Sequence, residues 1–525
     1  MRYSLNYILV LFALNLLSDH LVAQSGASLL RVYPYLLEPG SHKMHINFFT
    51  TGKEKGVLKV VEKGSKDTFE FNTTPVLQPQ LAYSELEISE KDNFQDMFPG
   101  ENYKHSVLLK NLKAKTVYTY SLILKDTLFE GHFRTAPLAS DTTTIRFIAL
   151  ADSETDPEGR TTLRKWKEGV QMQGSTGRPK GLENYLITEF DGLKQNLKFI
   201  QQRKPDFIML AGDIVQGGGY QRAWDEFFFQ TAGKFGQILS SVPLIPAIGN
   251  WEDFGARNGG YKPEAVAASR AKYAAYFDAP ANNNPNYKNF YYRTDYGPIT
   301  ILTLDSSNGL PDSTDFDTNI NINVSTYPGN DLPDINPGSD QWKWTESQLK
   351  DAHQKGQLIF AQFHHIPYSS GGHSLPLTDE GSSGQAGIPM RVYTPLFKKY
   401  GVVAVLCGHN ESFEHSVVDG IHFYDVGVAG DGLGYSVSDI DPRRENPYRQ
   451  WVAHVDSPEY WKAKQLIDGG KHYGHLEVEV KHLTDGNYHL RFVPVYVFPV
   501  TNDKGKVVGF ERRIYHDIVE INTNK

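Results

Sequence analysis

The sequence predicts an α/β protein whose layered core follows an all-β sandwich, and three observations carry that expectation. Over residues 29–137 the pattern alternates in short segments without a helical stripe, as at His105, Val107 and Leu109 and again at Tyr118, Tyr120, Leu122 and Leu124. A period of two, broken by turns, is the pattern of strands buried on one face. After Pro137 the alternation gives way to six near-continuous apolar runs at 145–150, 207–210, 244–248, 299–304, 358–363 and 402–407. Strands covered on both faces read this way, because neither row of side chains meets water. Helical stretches separate several of the runs, the clearest carrying Phe190, Leu193, Leu197 and Ile200 on one face.

The rest of the sequence fits around this frame. At 525 residues it suits two or three domains, each able to bury its own core. Hydrophobic residues at 40%, charged at 22% and aromatic at 12% exclude disordered, coiled-coil and membrane-spanning classes. A net charge of -8 leaves no basic field for a phosphate backbone, so a small-molecule substrate is expected and no nucleic-acid surface. Arg2 precedes an apolar run over 7–17 that is too short to span a bilayer, and Ala23 offers a cleavage point, although Leu21 is larger than usual three places before a cut. Residues 1–23 therefore read as a signal peptide, and the mature protein as secreted or periplasmic with no membrane span. The single cysteine, Cys407, excludes internal disulfides and cysteine-based metal clusters. Two insertions, 157–182 and 306–340, interrupt the core; the second is rich in Asn, Asp, Pro and Gly and reads as a long surface loop that shapes a pocket. From His472 onward alternation returns ("HLEVEV", "LRFVPVYVFPV"), which predicts strands added to the same domain.

The chemistry concentrates where the apolar runs stop. Five of the six end in polar clusters: "ALADSE" with Asp152 and Glu154, "LAGD" with Asp213, "AIGNWE" with Asn250, "FHHIPYSSGGH" with His364, His365 and His373, and "LCGHNE" with His409 and Glu411. Any one has a bland reading, since Gly-Asp and Gly-Asn are common turns and a lone histidine is usually a satisfied core residue. Five in sequence order are another matter, because ligands of an open α/β sheet converge at the carboxyl ends of its strands.

This ordered set, D-x-(H/E), GD, GN, a histidine further along and GH-x-(H/E), resembles the calcineurin-like metallophosphoesterases. With "HSVLLKNLKAKTVYTYSL" and "FRTAP" resembling the last strands of a fibronectin type III-like domain, the layout is similar to the purple acid phosphatases. "GHNESFEH", "QWKWTESQL" and "VGVAGDGLG" resemble further family segments. The resemblance implies a fibronectin type III-like sandwich over 25–138, and a layered β-sandwich metallophosphoesterase core flanked by helices over 143–525. It also implies hydrolysis of phosphate esters at a binuclear site, where two metals about 4 Å apart polarise the phosphoryl oxygens and turn bound water into hydroxide. Carried over residue by residue, the first metal falls to Asp152, Glu154, Asp213 and Glu411, and the second to Asp213, Asn250, a histidine of the 364 and 365 pair, and His409. Tyr368 four residues on favours His364 as the ligand, whereas Pro367 fits His365 better.

The departures sharpen this expectation. The family's first-site histidines are Glu154 and Glu411 here, an exchange that favours a hard ion (Fe, Mn, Mg or Ca) there, while the second site suits Zn, Mn or Fe. Asp152, Glu154, Asp213 and Glu411 would together neutralise two divalent ions, which predicts either a trivalent first metal or a less charged substrate such as a diester. Trp251 stands where the family has a substrate-contacting histidine, so His373 or the unused member of the pair, His365, is the candidate proton donor; solvent-exposed loop histidines are the alternative. Gln216 stands where purple acid phosphatases place tyrosine, so the charge-transfer colour should be missing. Arg160 and Arg257 follow ligand clusters and are either phosphate clamps or solvated loop residues, and Asp305 reads as a supporting or turn residue. Two other readings stay open: a degenerate phosphoesterase that only binds its ligand, and a structural, calcium-type metal site.

Overall fold

The computed structural model describes residues 29–93, 96–98, 100–125, 127–165, 177–307, 333, 335, 337–371, 387–432, 445–453 and 457–523. The segment read as a signal peptide lies outside them, as does His373. No helix among the described residues is long and apolar enough to cross a membrane.

The N-terminal region is all-β. Strands Leu30–Leu37, Lys43–Thr50, Tyr103–Lys110 and Val76–Leu77 form one antiparallel sheet, and Thr68–Thr73, Gly56–Glu62, Val117–Leu124 and Thr127–Arg134 another. Alternate residues of both meet in one core of Leu36, Ile46, Phe48, Leu58, Val60, Leu109, Leu122 and Phe133. The two stretches singled out by alternation lie in different sheets, Val107 and Leu109 facing Tyr118 and Tyr120 across that core. A fibronectin type III-like sandwich fits this arrangement.

Beyond it, two seven-stranded sheets stack face to face. The first runs Leu244–Ala247, Phe207–Ala211, Ile145–Leu150, Tyr473–His482, Tyr488–Thr501 and Val507–Ile514, with Val519–Asn522 also paired to Tyr488–Thr501. The second runs Tyr292–Tyr296, Ile299–Thr303, Leu358–His365, Val402–Gly408, Ile421–Val426, Phe413–Val418 and Arg449–Val452. The tail from His472 joins the first sheet as expected, Leu476 pairing with Ala149.

Parity within each strand builds the layers. Phe147, Ala149, Phe207 and Met209 point between the sheets, where they meet Ile299, Ile301, Phe360 and Leu406. Their neighbours Ile148, Leu150, Ile208 and Leu210 point outward against Leu193, Leu197, Trp224, Phe228 and Tyr276, which lie on or beside helices Glu189–Arg203, Gln221–Thr231 and Pro263–Tyr276. On the far side Ile359, Ala361, Phe363, Val405 and Cys407 pack on helices Asp340–Gln354 and Thr394–Tyr400. The result is a helix, sheet, sheet, helix stack, which is why the runs are apolar without alternation. Because 145–150, 207–211 and 244–247 are mutually parallel, as are 299–303, 358–365 and 402–408, their carboxyl ends collect at one edge. The N-terminal sandwich docks on the outer helices, with Tyr35 Oη donating to the Tyr276 carbonyl at 2.6 Å and a buried Arg31–Asp225 ion pair at 2.9 Å.

Candidate metal centre

Three of the five clusters follow their strands in a backbone that residues with a Cβ rarely adopt. Asp152, Asp213, His409 and Glu411 have φ of 54°, 48°, 81° and 46°. A left-handed backbone costs a residue with a Cβ ~1–3 kcal/mol, and such strain concentrates at functional sites. The glycines before the polar residues serve close approach. A Cβ on Gly408 would lie 2.0 Å from Asp152 Oδ2, and one on Gly249 would lie 2.3 Å from Asp213 Oδ1.

The side chains converge from both sheets. His364 Nδ1 donates to the Ala211 carbonyl at 2.9 Å, which turns its Nε2 toward Asp213 Oδ2, also 2.9 Å away. With Nδ1 carrying the proton, Nε2 and a carboxylate oxygen are two acceptors in contact, an arrangement that a cation or a second proton must bridge. His409 Nδ1 meets Asn250 Oδ1 at 2.8 Å, and the His409 amide donates to both oxygens of Asp152 at 3.1 Å. Trp251 N donates to Asp213 Oδ1 at 2.8 Å. Donor atoms of Asp152, Asp213 and His364 lie within 4.8 Å of one another, and so do those of His364, His365 and His409. All five residues are buried.

Glu154 and Glu411 join neither group, but they lie close enough to act on the same charges. Burial, then Asp213, raises the Asp152 carboxyl to about 8, although His364 opposes this. Burial first, then Asp152 and Asp213, drives Glu154 well above the carboxylate range, and its Oε2 is buried without a hydrogen-bond partner. Carboxyl groups crowded out of water in this way fit a bound cation, which would supply the missing partner and the opposite charge. The donors present are oxygen and imidazole nitrogen, as a metal centre of this kind needs.

Residues 186–410 match the family model for the calcineurin-like phosphoesterases. Over that span, less than half of the chain, the protein is similar to the calcineurin-like phosphoesterases. The matched span contains Asp213, Asn250, His364, His365 and His409; Glu411 directly follows it, and Asp152 and Glu154 lie well before its start. Two uncharacterised proteins from two strains of Mycobacterium tuberculosis are 22% identical over 384 residues, which is 71% of this chain and 61% of each relative. A probable inactive purple acid phosphatase of Arabidopsis thaliana is 26% identical over 260 residues, 48% of this chain and 36% of that protein. Among solved structures, a purple acid phosphatase from yellow lupin (Lupinus luteus) seeds superposes with a TM-score of 0.59 at 18% identity, covering 92% of this chain and 74% of the other. PhoD superposes at 0.56 and 12% identity, covering 96% and 94%. At those identities the likeness is one of fold.

The fold also places residues that the sequence left unassigned. Glu252, wholly buried, accepts from Ile214 N at 2.8 Å and Val215 N at 3.2 Å through Oε1, and from Gly249 N at 2.8 Å through Oε2. It thereby straps the Asp213 turn to the Asn250 turn. Asp305 has the supporting place expected of it: Arg270 bridges it to Asp253, and the next residue, Ser306, holds His365 Nδ1 at 2.7 Å. Arg160 is no free clamp, being paired with Glu226 and Asp96, and Arg257 is paired with Glu90. Asp431, in the "VGVAGDGLG" segment, is a residue that sequence reasoning misses; it is buried, its carboxylate pairs with Arg164, and its amide donates to the Asp152 carbonyl. Its only local signal is an acidic residue following a glycine.

Proposed function

We propose that this protein cleaves phosphate esters with water at a binuclear metal site. The observation that carries this reading is the His364 Nε2 to Asp213 Oδ2 contact of 2.9 Å, set among Asp152, Asn250 and His409 at the joined strand ends of both sheets. Asp213 would serve both positions, with Asp152, Glu154 and Glu411 holding one ion and Asn250, His364 and His409 the other. Two cations held there would polarise the phosphoryl oxygens and acidify the attacking water. The protein's own part is position and charge. Ala211 and Asp213 fix the His364 ring, Trp251 N orients the Asp213 carboxylate, and Glu252 holds both turns. His365, held by Ser306 Oγ and 4.4 Å ring to ring from His409, is the candidate proton donor to the leaving oxygen; His373 is the second candidate. The crowded carboxylates favour a diester over a dianionic monoester, or a trivalent ion beside Asp152. A secreted or periplasmic location and a small-molecule substrate complete the reading.

Trp251 at the histidine position favours a second reading, a domain that binds its ligand without turnover. One experiment separates the two: metal content is measured, then monoester and diester hydrolysis with the recovered ions in wild type and Asp213→Ala. Turnover lost with Asp213 is expected. Metal bound with no turnover of any ester refutes the enzyme reading.

A further inference from the structure

Between strands Val76–Leu77 and Tyr103–Lys110 the N-terminal region sends a segment out over the helices that cover the first sheet. The short helix Glu85–Ser89 docks there: Glu87, wholly buried, accepts from Arg222 N at 2.9 Å through Oε1, and Tyr83 Oη donates to Asp225. Farther along, Arg222 Nη1 donates to the Asp96 carbonyl at 2.8 Å, and the Asp96 carboxylate pairs with Arg160 at 2.6 Å and with Lys234. Arg222 and Asp225 belong to helix Gln221–Thr231, so the segment is fixed to one helix on either side of Glu90. Glu90 itself follows the short helix and extends Oε2 to Arg257 Nη1 at 2.6 Å. Arg257 Nη2 lies 3.8 Å from Glu158 Oε1, on the loop after Glu154, and Tyr220 Oη donates to that same oxygen at 3.4 Å. One guanidinium thus joins the N-terminal segment to the loops that follow Glu154 and Asn250.

The Arg257 loop turns back to Asn250. Gly255 N donates to the Gly260 carbonyl at 2.8 Å and Gly260 N to the Ala256 carbonyl at 3.0 Å, which closes the loop. Asn250 Nδ2 donates to Tyr261 Oη and Tyr261 Oη to the Asn250 carbonyl, both at 3.3 Å. With Nδ2 held toward Tyr261, Asn250 presents Oδ1 to His409. We propose that Glu90 is a positioning residue of the candidate metal centre: through Arg257 it orders the loop over 254–261 and so holds the Asn250 amide in place. The proposal rests on the metal-centre reading and goes beyond it in giving the N-terminal region a part in the site. Of residues 254–261 only Gly255 is buried, and the Arg257 side chain is half exposed. An exposed ion pair adds little to global stability, so its effect is local. A loop with few buried contacts opens more easily than the core, and a charge-assisted contact at its turn sets how often it does.

The full-length protein is compared as wild type, Glu90→Gln, Arg257→Gln and the double variant. Hydrogen exchange is followed by mass spectrometry over 254–261, and Zn2+ affinity is measured by calorimetry on chelator-stripped protein. Glu90→Gln should speed exchange over 254–261 by about threefold, the size expected of one exposed ion pair, and leave strands 145–150 and 207–211 unchanged. Zn2+ affinity should fall by about the same factor, and Glu90→Gln should add nothing once Arg257→Gln is present. Arg257→Gln separates positioning from a bare field effect. It removes a positive charge, so field alone would tighten Zn2+ binding, whereas a loosened Asn250 weakens it. Tighter binding in Arg257→Gln overturns the proposal. So do wild-type exchange in Glu90→Gln, effects that add in the double variant, and faster exchange with Zn2+ affinity unchanged. No arm of this test uses turnover, so the phosphoesterase reading fails separately, on a fully loaded protein that turns over no ester.

Discussion

Removing the Glu252 strap should cost a large part of the stability of the layered α/β domain. Its carboxylate accepts three backbone N–H groups, from Ile214, Val215 and Gly249, at 2.8, 3.2 and 2.8 Å, in a position with 0% exposure. Glu252→Ala leaves all three donors buried without an acceptor, at about 1–3 kcal/mol each. Water entering the vacated volume recovers part of this, so the expected loss is ~3–5 kcal/mol, against a whole-domain margin of roughly 5–15 kcal/mol. Glu252→Gln keeps the shape and the oxygen that serves Ile214 and Val215, but it turns an amide N–H toward the Gly249 N–H, for a loss of ~2 kcal/mol. The assay is urea unfolding in the presence of chelator, so that bound metal adds nothing to the folded state. A loss below ~1 kcal/mol in Glu252→Ala would falsify the reasoning, and so would a Gln variant as unstable as the Ala variant.

Three other outcomes are expected. Gly408→Ala pushes a methyl group to 2.0 Å from Asp152 Oδ2 and 2.5 Å from Ala151 Cβ, so it should displace Asp152 and lower both ion content and stability, the latter by ~1–3 kcal/mol; retention of both ions would count against the site as drawn. His364→Gln should lose an ion, whereas His365→Gln should keep its ion count and lose mainly kcat; the reverse pattern would exchange their roles. Burial holds His105 and His472 down to about 4, below the ordinary 6.5. The unfolded state therefore binds more protons between those values, and stability is full above pH 6.5 and falls as pH drops toward 4, by up to ~3 kcal/mol per histidine. Urea midpoints between pH 7 and 4 should show the decline, and His105→Gln should make it shallower; an unchanged slope refutes the assignment.

The strands and helices were legible because their causes are local. A period of two around Tyr118, an unbroken apolar run at 145–150 and a helical stripe through Leu193, Leu197 and Ile200 each record which faces of one segment meet water. The polar endings of those runs single out Asp152, Asp213, Asn250, His364 and His409 for the same reason, since a change from apolar to polar is visible within a few consecutive residues. What the sequence could not contain was distance between segments. The pairing of Leu476 with Ala149, across more than three hundred positions, depends on which surfaces fit. The orientation of His364 is set by the Ala211 carbonyl, and that of His365 by Ser306. Arg160 reads as available in the sequence, yet Glu226 and Asp96 surround it in the fold. Asp431 reaches the Asp152 carbonyl because Gly430 lets its turn lie against Ser153 and Glu154. Periodicity and strand ends were therefore determined by the sequence alone, since each is a property of a few consecutive residues. Which donors come together, and which arginines are already spent, was decided by tertiary packing, because a charge is felt only across the few ångströms that folding closes.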